Sequence, residues 1–271
     1  MNDSTSQISP AWPTRWAKGS FSPGSTFLFL LVLAGATFLA FVVAVIGALV
    51  WLSLEHPHEL AAFQKHPTAM SGTIFLTFSV AQLVGEGVAV IVILAGLPRL
   101  AHFSLAQLGF RLIGLRAIGY GVLGAVGMVV VGDFGGTLVQ SLTHSTHEEL
   151  AIHIFENIRH NTRLVIFFAI FAVVLQPFVE EMLFRVFLFN LALRYSGFWT
   201  AAIVSGVLFG LMHLVTGSAD LTSSALLALG GVILAWVYYR SRNAYASMIS
   251  HALFNGLSTA ALYFAPKLIG S

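Results

Sequence analysis

Residues 164–193 read LVIFFAIFAVVLQPFVEEMLFRVFLFNLAL. This run is longer than the roughly 20 apolar residues that a helix needs to cross a bilayer, yet it contains Glu180, Glu181 and Arg185. A charged side chain within a bilayer is costly, so such a residue indicates a functional site by default. The stretch therefore predicts a membrane-spanning helix whose charged residues face the interior of a helix bundle.

The composition of the whole chain agrees with a membrane protein. Of its 271 residues, 57% are hydrophobic and 9% are charged, whereas a soluble domain has about 25% charged residues. The net charge is only +2 and the basic residues are scattered, so no nucleic-acid partner is expected, and membrane lipids are the expected surroundings. The absence of cysteine excludes disulfides, thiolate metal ligands and a cysteine nucleophile.

Seven apolar stretches are long enough to span a membrane. They predict an all-α fold, a polytopic integral membrane bundle of about 7–8 transmembrane helices with the site in the bundle interior. A further segment, 147–161, has apolar residues at helical spacing and is expected to lie flat at the membrane interface. The predicted spans are 26–54, 71–97, 117–142, 164–193, 198–215, 221–239 and 244–264.

The chain is expected to divide into three parts. Residues 1–25 are polar and rich in Pro and Ser, which predicts a disordered tail. Residues 26–163 contain the first three spans and the interfacial segment, and residues 164–265 contain the four helices with the catalytic candidates. Basic residues are more frequent in the loops on the same side of the membrane as the N-terminus than in the loops on the other side. This distribution predicts a multi-pass protein with the N-terminus cytoplasmic and the C-terminus outside. In a bacterium, the plasma (inner) membrane is the expected location.

Three pairs of residues in different apolar stretches share a spacing of four, which places the members of each pair on one helix face. Because Glu181 precedes Arg185, the order favours an ion pair, and Glu180 is left to point elsewhere. Pro177 removes a backbone hydrogen bond and is expected to kink the helix one turn before these carboxylates. The pairs are Glu181/Arg185, Phe209/His213 and His251/Asn255.

The residue types in these pairs are those that peptide hydrolysis needs, namely a base for water and donors for the oxyanion. Glu180 with His213 is predicted to hold and deprotonate the water. His251 with Asn255 is predicted to supply the oxyanion donors. Phe209 is expected to pack beside His213 rather than to take part in the chemistry.

The order EExxxR, FxxxH, HxxxN within residues 164–260 resembles the CPBP family of intramembrane proteases. This family includes the type II CAAX prenyl endopeptidases and bacterial proteins described as abortive-infection or bacteriocin-processing. The flanking residues 178–185 (FVEEMLFR) and 248–251 (MISH) also fit the family. Glycine usually follows the motif arginine in the family, whereas this chain has Val186.

The resemblance implies an intramembrane endopeptidase that hydrolyses a peptide bond near the membrane. Its expected substrate is the C-terminal or membrane-proximal segment of a lipidated or hydrophobic protein or peptide. The resemblance also implies that Glu180 activates water with His213 as partner, and that His251 and Asn255 stabilise the oxyanion. Glu181 and Arg185 become supporting residues around that glutamate.

The need for a metal is left open by the sequence. Glu180 alone can serve as the base, so no cofactor is expected. Two histidines and a carboxylate are nevertheless ligands that zinc accepts, and the candidates would be Glu180, His213 and His251.

Two other functions are compatible with the sequence. One is a non-catalytic immunity or scaffold protein that binds a peptide in the membrane. The other is a proton-coupled transporter using Glu86, Asp133 and Glu180, which would be expected to show a symmetric repeat, and none is evident in the sequence. Glu86 and Asp133 are instead expected to be hydrogen-bonded carboxyls at glycine-rich helix crossings.

Overall fold

The computed structural model describes residues 22–67, 70–101, 104–143 and 150–264. All regular secondary structure in these residues is helical, which confirms the predicted all-α polytopic bundle. The helices are α1 (Pro23–Glu55), α2 (Pro57–Lys65), α3 (Gly72–Ala101), α4 (Leu115–Val129), α5 (Gly135–Thr143), α6 (Leu150–Ile158), α7 (Thr162–Ile170), α8 (Gln176–Glu181), α9 (Asn190–Tyr195), α10 (Phe198–Val215), α11 (Leu221–Ser241) and α12 (Ala244–Phe264).

Two of the long helices contain π-helical stretches, in which backbone hydrogen bonds reach back five residues instead of four. Val130–Phe134 joins α4 to α5. Phe171–Leu175 joins α7 to α8, and Met182–Phe189 joins α8 to α9, so the predicted fourth span is one continuous rod, Thr162–Tyr195. The short helix α8, which contains both adjacent glutamates, therefore lies between two π-helical stretches.

Within the described residues, six helices are long and apolar enough to cross a membrane: α1, α3, the α4–α5 rod, the α7–α9 rod, α10 and α11. The seventh predicted span forms as α12 with the predicted bounds, but it is not among these six. Its serines, His251 and Asn255 lower its hydropathy. The protein is a multi-pass integral membrane protein, while the orientation of its termini and the membrane that holds it stay predictions.

The proposed three-part division of the chain stays a prediction. Most of the predicted tail, residues 1–21, lies outside the described residues. The first helix begins at Pro23, a little earlier than predicted, because Ser22 caps it: the Ser22 side chain accepts from the Ser25 N–H at 3.1 Å.

The predicted interfacial segment forms a helix, α6, although its residues 147–149 lie outside the described part of the chain. Phe155 and Ile158 on α6 are buried and pack with Phe75 and Phe168. The helix is therefore docked against α3 and α7. Its position relative to the membrane surface stays a prediction.

The largest apolar cluster joins α1, α3, α10 and α11 to the part of the α7–α9 rod that follows Glu181. Val186, the residue where the resembling family has glycine, is fully buried in it. The hydroxyl of Tyr238 is buried there as well, and it donates to the Leu108 carbonyl at 2.9 Å and accepts from Asn190 Nδ2 at 2.7 Å. The buried polar groups in this cluster thus satisfy one another.

Glycines let α10 and α11 approach closely. A Cβ on Gly206 would lie 2.6 Å from the carbonyl oxygen of Ala228, and a Cβ on Gly231 would lie 2.7 Å from the Cα of Gly206. Small residues at such crossings allow helix backbones to pack together in membranes. This crossing places the Gly231 carbonyl within 3.1 Å of Arg185 Nη2, which donates to it.

Helix α12 is held against α4 in a similar way. A Cβ on Gly121 would lie 2.6 Å from Ile249 Cγ2, and the Ser250 hydroxyl donates to the Gly121 carbonyl at 2.7 Å. Since Ser250 faces α4, the next residue, His251, projects about 100° around the helix and faces α8.

Gly206→Ala is expected to destabilise the protein by about 1–3 kcal/mol, because the new Cβ would meet a backbone carbonyl that cannot move aside. The matched control is Gly47→Ala on α1, where nothing lies within 4 Å of the added Cβ. There the better helix propensity of alanine is expected to leave stability unchanged or slightly raised. Thermal unfolding in detergent measures both, and equal effects of the two substitutions would contradict the packing argument.

Candidate active site

Two adjacent carboxylates on α8 share His251 as a partner, and each has a further partner of its own. Glu181 is completely buried, and its Oε1 lies 3.2 Å from Arg185 Nη1 and 3.2 Å from His251 Nδ1. Glu180 lies on the neighbouring face, with Oε1 4.0 Å from His213 Nε2 and Oε2 3.6 Å from His251 Nε2. The structure thus brings together residues from α8, α10 and α12 that are far apart in the sequence.

Arg185 is completely buried and is surrounded by groups that suit a guanidinium. Besides Glu181, it contacts the Gly231 carbonyl through Nη2 at 3.1 Å, and its Cζ lies 4.8 Å from the centre of the Phe209 ring. A buried charge requires such a set of partners. The ion pair has the four-residue spacing that the sequence predicts, and it fixes the position of Glu181.

The contact with Glu181 orients the ring of His251. An ionised carboxylate can only accept hydrogen bonds, so His251 Nδ1 donates the proton at 3.2 Å. The opposite nitrogen, Nε2, then faces Glu180. A carboxylate behind an imidazole fixes its tautomer and its direction in the same way in other hydrolytic sites.

A backbone carbonyl orients the ring of His213. Its Nδ1 lies 2.9 Å from the Phe209 carbonyl oxygen, which can only accept, so Nδ1 is the protonated nitrogen. The lone pair of the neutral ring is therefore on Nε2, the nitrogen that faces Glu180. The separation of 4.0 Å between Nε2 and Glu180 Oε1 is too long for a direct hydrogen bond and suits a bridging water.

The Phe209 ring packs among the polar residues of the site. It is completely buried, with its centre 4.7 Å from that of His213, 5.7 Å from that of His251 and 5.2 Å from that of Phe184. It thus packs beside His213 as the sequence predicts. The ring also lies against the Arg185 guanidinium, whose Cζ is 4.8 Å from its centre.

The three polar residues of the site are exposed at the protein surface to different extents. The exposed fraction of the side chain is 19% for His213, 11% for Glu180 and 5% for His251. Of these three side chains, His213 is thus the most exposed and His251 the least.

Asn255 lies one turn beyond His251 and contacts a different element. Its Nδ2 donates to the carbonyl of Ala172, in the π-helical stretch before α8, at 2.8 Å. Among the described residues, no hydrogen bond joins Asn255 to Glu180 or to either histidine. Its role as an oxyanion donor stays a prediction.

Two glutamines beside the site, Gln82 and Gln176, are not part of the sequence motifs, and both contact Glu86. Gln176 Nε2 donates to Glu86 Oε2 and Gln82 Nε2 donates to Glu86 Oε1, both at 2.8 Å. The spacing of four in Gln82/Glu86 and in Gln176/Glu180 is the signal that could have revealed them. Gly85, next to Glu86, faces α1 at a close crossing, so Glu86 is a hydrogen-bonded carboxyl at a glycine-containing crossing, as expected. The side chain of Asp133 lies outside the described residues.

The zinc-ligand candidates do not form a metal site as they stand. His213 and His251 each donate from Nδ1 to an oxygen, which leaves Nε2 as the possible metal ligand, an arrangement common among ligating histidines. However, in the described part of the chain no group of three His, Asp or Glu side chains has the spacing needed to hold a metal ion. The chemistry of Glu180 and the histidines can be derived without a metal, and the metal requirement stays open.

The part of the chain that contains the site is similar to known proteins. Residues 162–257 match the family described as "Type II CAAX prenyl endopeptidase Rce1-like", and this range contains all of the motif residues. The protein named "Putative membrane peptidase YdiL" in Bacillus subtilis (strain 168) is 29% identical over 79 residues, which are 29% of this chain and 30% of the length of that protein. No solved structure matches the chain. The similarity supports a membrane protease of the CAAX type, and the resemblance recognised in the three motifs is confirmed: residues 162–257 match the Rce1-like type II CAAX prenyl endopeptidase family.

Proposed function

We propose that the protein is an intramembrane endopeptidase that hydrolyses a peptide bond near the membrane. The observation that carries the proposal is the position of Glu180 between two histidines whose Nδ1 atoms are both engaged elsewhere. Both Nε2 atoms therefore face the one carboxylate. A polar cluster with a purely structural role would not require two imidazole rings that both direct Nε2 toward the same carboxylate.

The first step is the activation of water. A water molecule between Glu180 Oε1 and His213 Nε2 donates one hydrogen to each, since both atoms are acceptors in this arrangement. Its lone pair then points away from both residues, toward a substrate carbonyl. As the water oxygen bonds to the carbonyl carbon, Glu180 takes the proton, which is the role of a general base.

The second step is the collapse of the tetrahedral intermediate. The oxyanion accepts a hydrogen bond from Nε2 of His251 in the imidazolium form of the ring, and Glu181 stabilises this form through Nδ1 without itself taking the proton. The carbon–nitrogen bond breaks as Glu180 returns its proton to the leaving amine, which balances the reaction. A contribution of Asn255 to the oxyanion would use its second amide hydrogen, because the first is donated to the Ala172 carbonyl.

The substrate class follows from the surroundings of the site. A site among apolar helices suits the C-terminal or membrane-proximal segment of a lipidated or hydrophobic protein or peptide, and lipids are the other partners. No cofactor takes part in the proposed steps. The proposed location is the plasma (inner) membrane of a bacterial host, with the N-terminus cytoplasmic and the C-terminus outside.

A comparison of protein termini in host cells tests the proposal. Membrane and secreted fractions are compared between cells without the protein and cells with wild type, Glu180→Gln or Glu156→Gln. Glu156 is an exposed residue of α6 and serves as the matched control. We expect at least one new terminus with wild type and with Glu156→Gln that is absent with Glu180→Gln.

The same experiment separates catalysis from binding. If all four samples have identical termini although the three proteins accumulate equally in the membrane, the peptidase proposal is wrong. The non-catalytic peptide-binding protein would then be the better interpretation, and retention of a peptide by both wild type and Glu180→Gln would support it.

A further inference from the structure

One backbone carbonyl near the site is left without a donor from its own helix. In the π-helical stretch Phe171–Leu175, the Gln176 N–H donates to the Phe171 carbonyl, five residues back, and thus not to Ala172. The next residue in that register is Pro177, which has no N–H. Neither the α-helical nor the π-helical partner of the Ala172 carbonyl is therefore available.

The Asn255 side chain supplies the missing donor. Its Nδ2 lies 2.8 Å from the Ala172 carbonyl oxygen, which is a good hydrogen-bond distance. In a membrane interior no bulk water is available to donate a hydrogen bond to an unpaired carbonyl, so a polar side chain from a neighbouring helix donates it instead. The neighbouring residue Gly256 lies close to the same stretch, because a Cβ there would lie 3.6 Å from Val173 Cγ1.

We propose that Asn255 is a positioning residue, which closes the backbone break made by Pro177 and thereby sets Glu180 relative to His251. The inference rests on the proposed peptidase function. The break lies directly before α8, the helix of Glu180, and Asn255 lies one turn after His251 on α12. One hydrogen bond therefore joins the two helices whose side chains meet at the site.

The competing role for Asn255 is direct donation to the oxyanion. The two roles differ in their dependence on position 177. A positioning role exists only because proline lacks an N–H, whereas an oxyanion donor would be needed whatever residue stands there.

A double-mutant cycle in thermal unfolding tests the difference, using the purified full chain in detergent as wild type, Pro177→Ala, Asn255→Ala and the double variant. Asn255→Ala is expected to lower the melting temperature by about 3 °C or more. In the Pro177→Ala background, where either helical register supplies Ala172 with a donor, the drop should be less than half as large. Ser258→Ala, which removes an exposed hydroxyl of the same helix, is the control and should shift neither background.

Because the thermal cycle needs no substrate, its outcome does not depend on peptidase activity. It therefore tests the positioning role of Asn255 separately from the proposed function. An equal drop from Asn255→Ala in both backgrounds overturns the positioning role. A smaller drop with Pro177→Ala supports it even if the protein proves to have no peptidase activity, in which case only the proposed function fails.

A covalent tether decides the matter if Pro177→Ala does not fold. The chain has no cysteine, and the Val173→Cys/Gly256→Cys pair is within the reach of a disulfide. In Asn255→Ala carrying this pair, oxidation is expected to raise kcat at least 10-fold on the peptide identified in the termini experiment, and to raise the melting temperature, with reductant reversing both. A higher melting temperature without recovery of kcat would overturn the positioning role and return Asn255 to the oxyanion.

Discussion

Replacing Glu180 by Gln is expected to lower the rate of peptide hydrolysis by about 100-fold to 10⁴-fold while the protein stays folded. The amide has the shape of the carboxylate and can still contact both histidines, but it cannot take a proton from water. Hydrolysis by purified wild type, Glu180→Gln and Glu156→Gln should be measured on one substrate peptide, with the melting temperature recorded for each. Hydrolysis by Glu180→Gln at the rate of the Glu156→Gln control would remove Glu180 from the mechanism.

The same assay tests whether hydrolysis requires a metal ion. Because the proposed steps use only Glu180 and the histidines, chelators are expected to leave the wild-type rate unchanged. A loss of activity with a chelator that zinc restores would instead make Glu180, His213 and His251 ligands.

Replacing Arg185 by Leu is expected to destabilise the protein by about 3–5 kcal/mol, because it leaves Glu181 buried without its cation. Arg185→Lys should recover little, since a single ammonium cannot bridge both Glu181 and the Gly231 carbonyl or stack on Phe209 as a planar guanidinium does. Thermal unfolding in detergent and the amount of protein in the membrane measure the effect. Wild-type stability of Arg185→Leu would show that the ion pair is not needed for folding.

A double substitution separates the two tasks of this pair. Glu181→Leu together with Arg185→Leu removes both charges and is expected to regain most of the lost stability, since apolar replacement of a buried ion pair is often neutral or stabilising. It should not regain activity, because His251 Nδ1 would lose the carboxylate that orients it.

The parts of the site that the sequence predicts are those within single helices. The Glu181–Arg185 ion pair and the packing of Phe209 beside His213 both follow from a spacing of four. The membrane fold likewise follows from the length of the apolar stretches. The structure agrees with these predictions because each depends only on helix geometry.

The contacts between helices could not be predicted in the same way. His251 contacts both carboxylates, which depends on the direction in which α12 packs against α4 through Gly121 and Ser250. The partner of Asn255 is a backbone carbonyl, and its availability depends on a π-helical register that residue types alone do not specify. The oxyanion role predicted for Asn255 depends on its residue type, its spacing to His251 and the family resemblance, none of which specifies its contact with Ala172.

The low hydropathy of α12 has a consequence for the biogenesis of the protein. Polar residues near the middle of a helix make insertion into a bilayer from the translocon unfavourable, so α12 depends on helices already in the membrane to receive its polar face. Those helices are α4 and the α7–α9 rod, which contact it in the folded state. His251, which the proposed mechanism uses, therefore enters the bilayer only together with the surfaces that enclose it, so an incompletely assembled chain would lack the complete site.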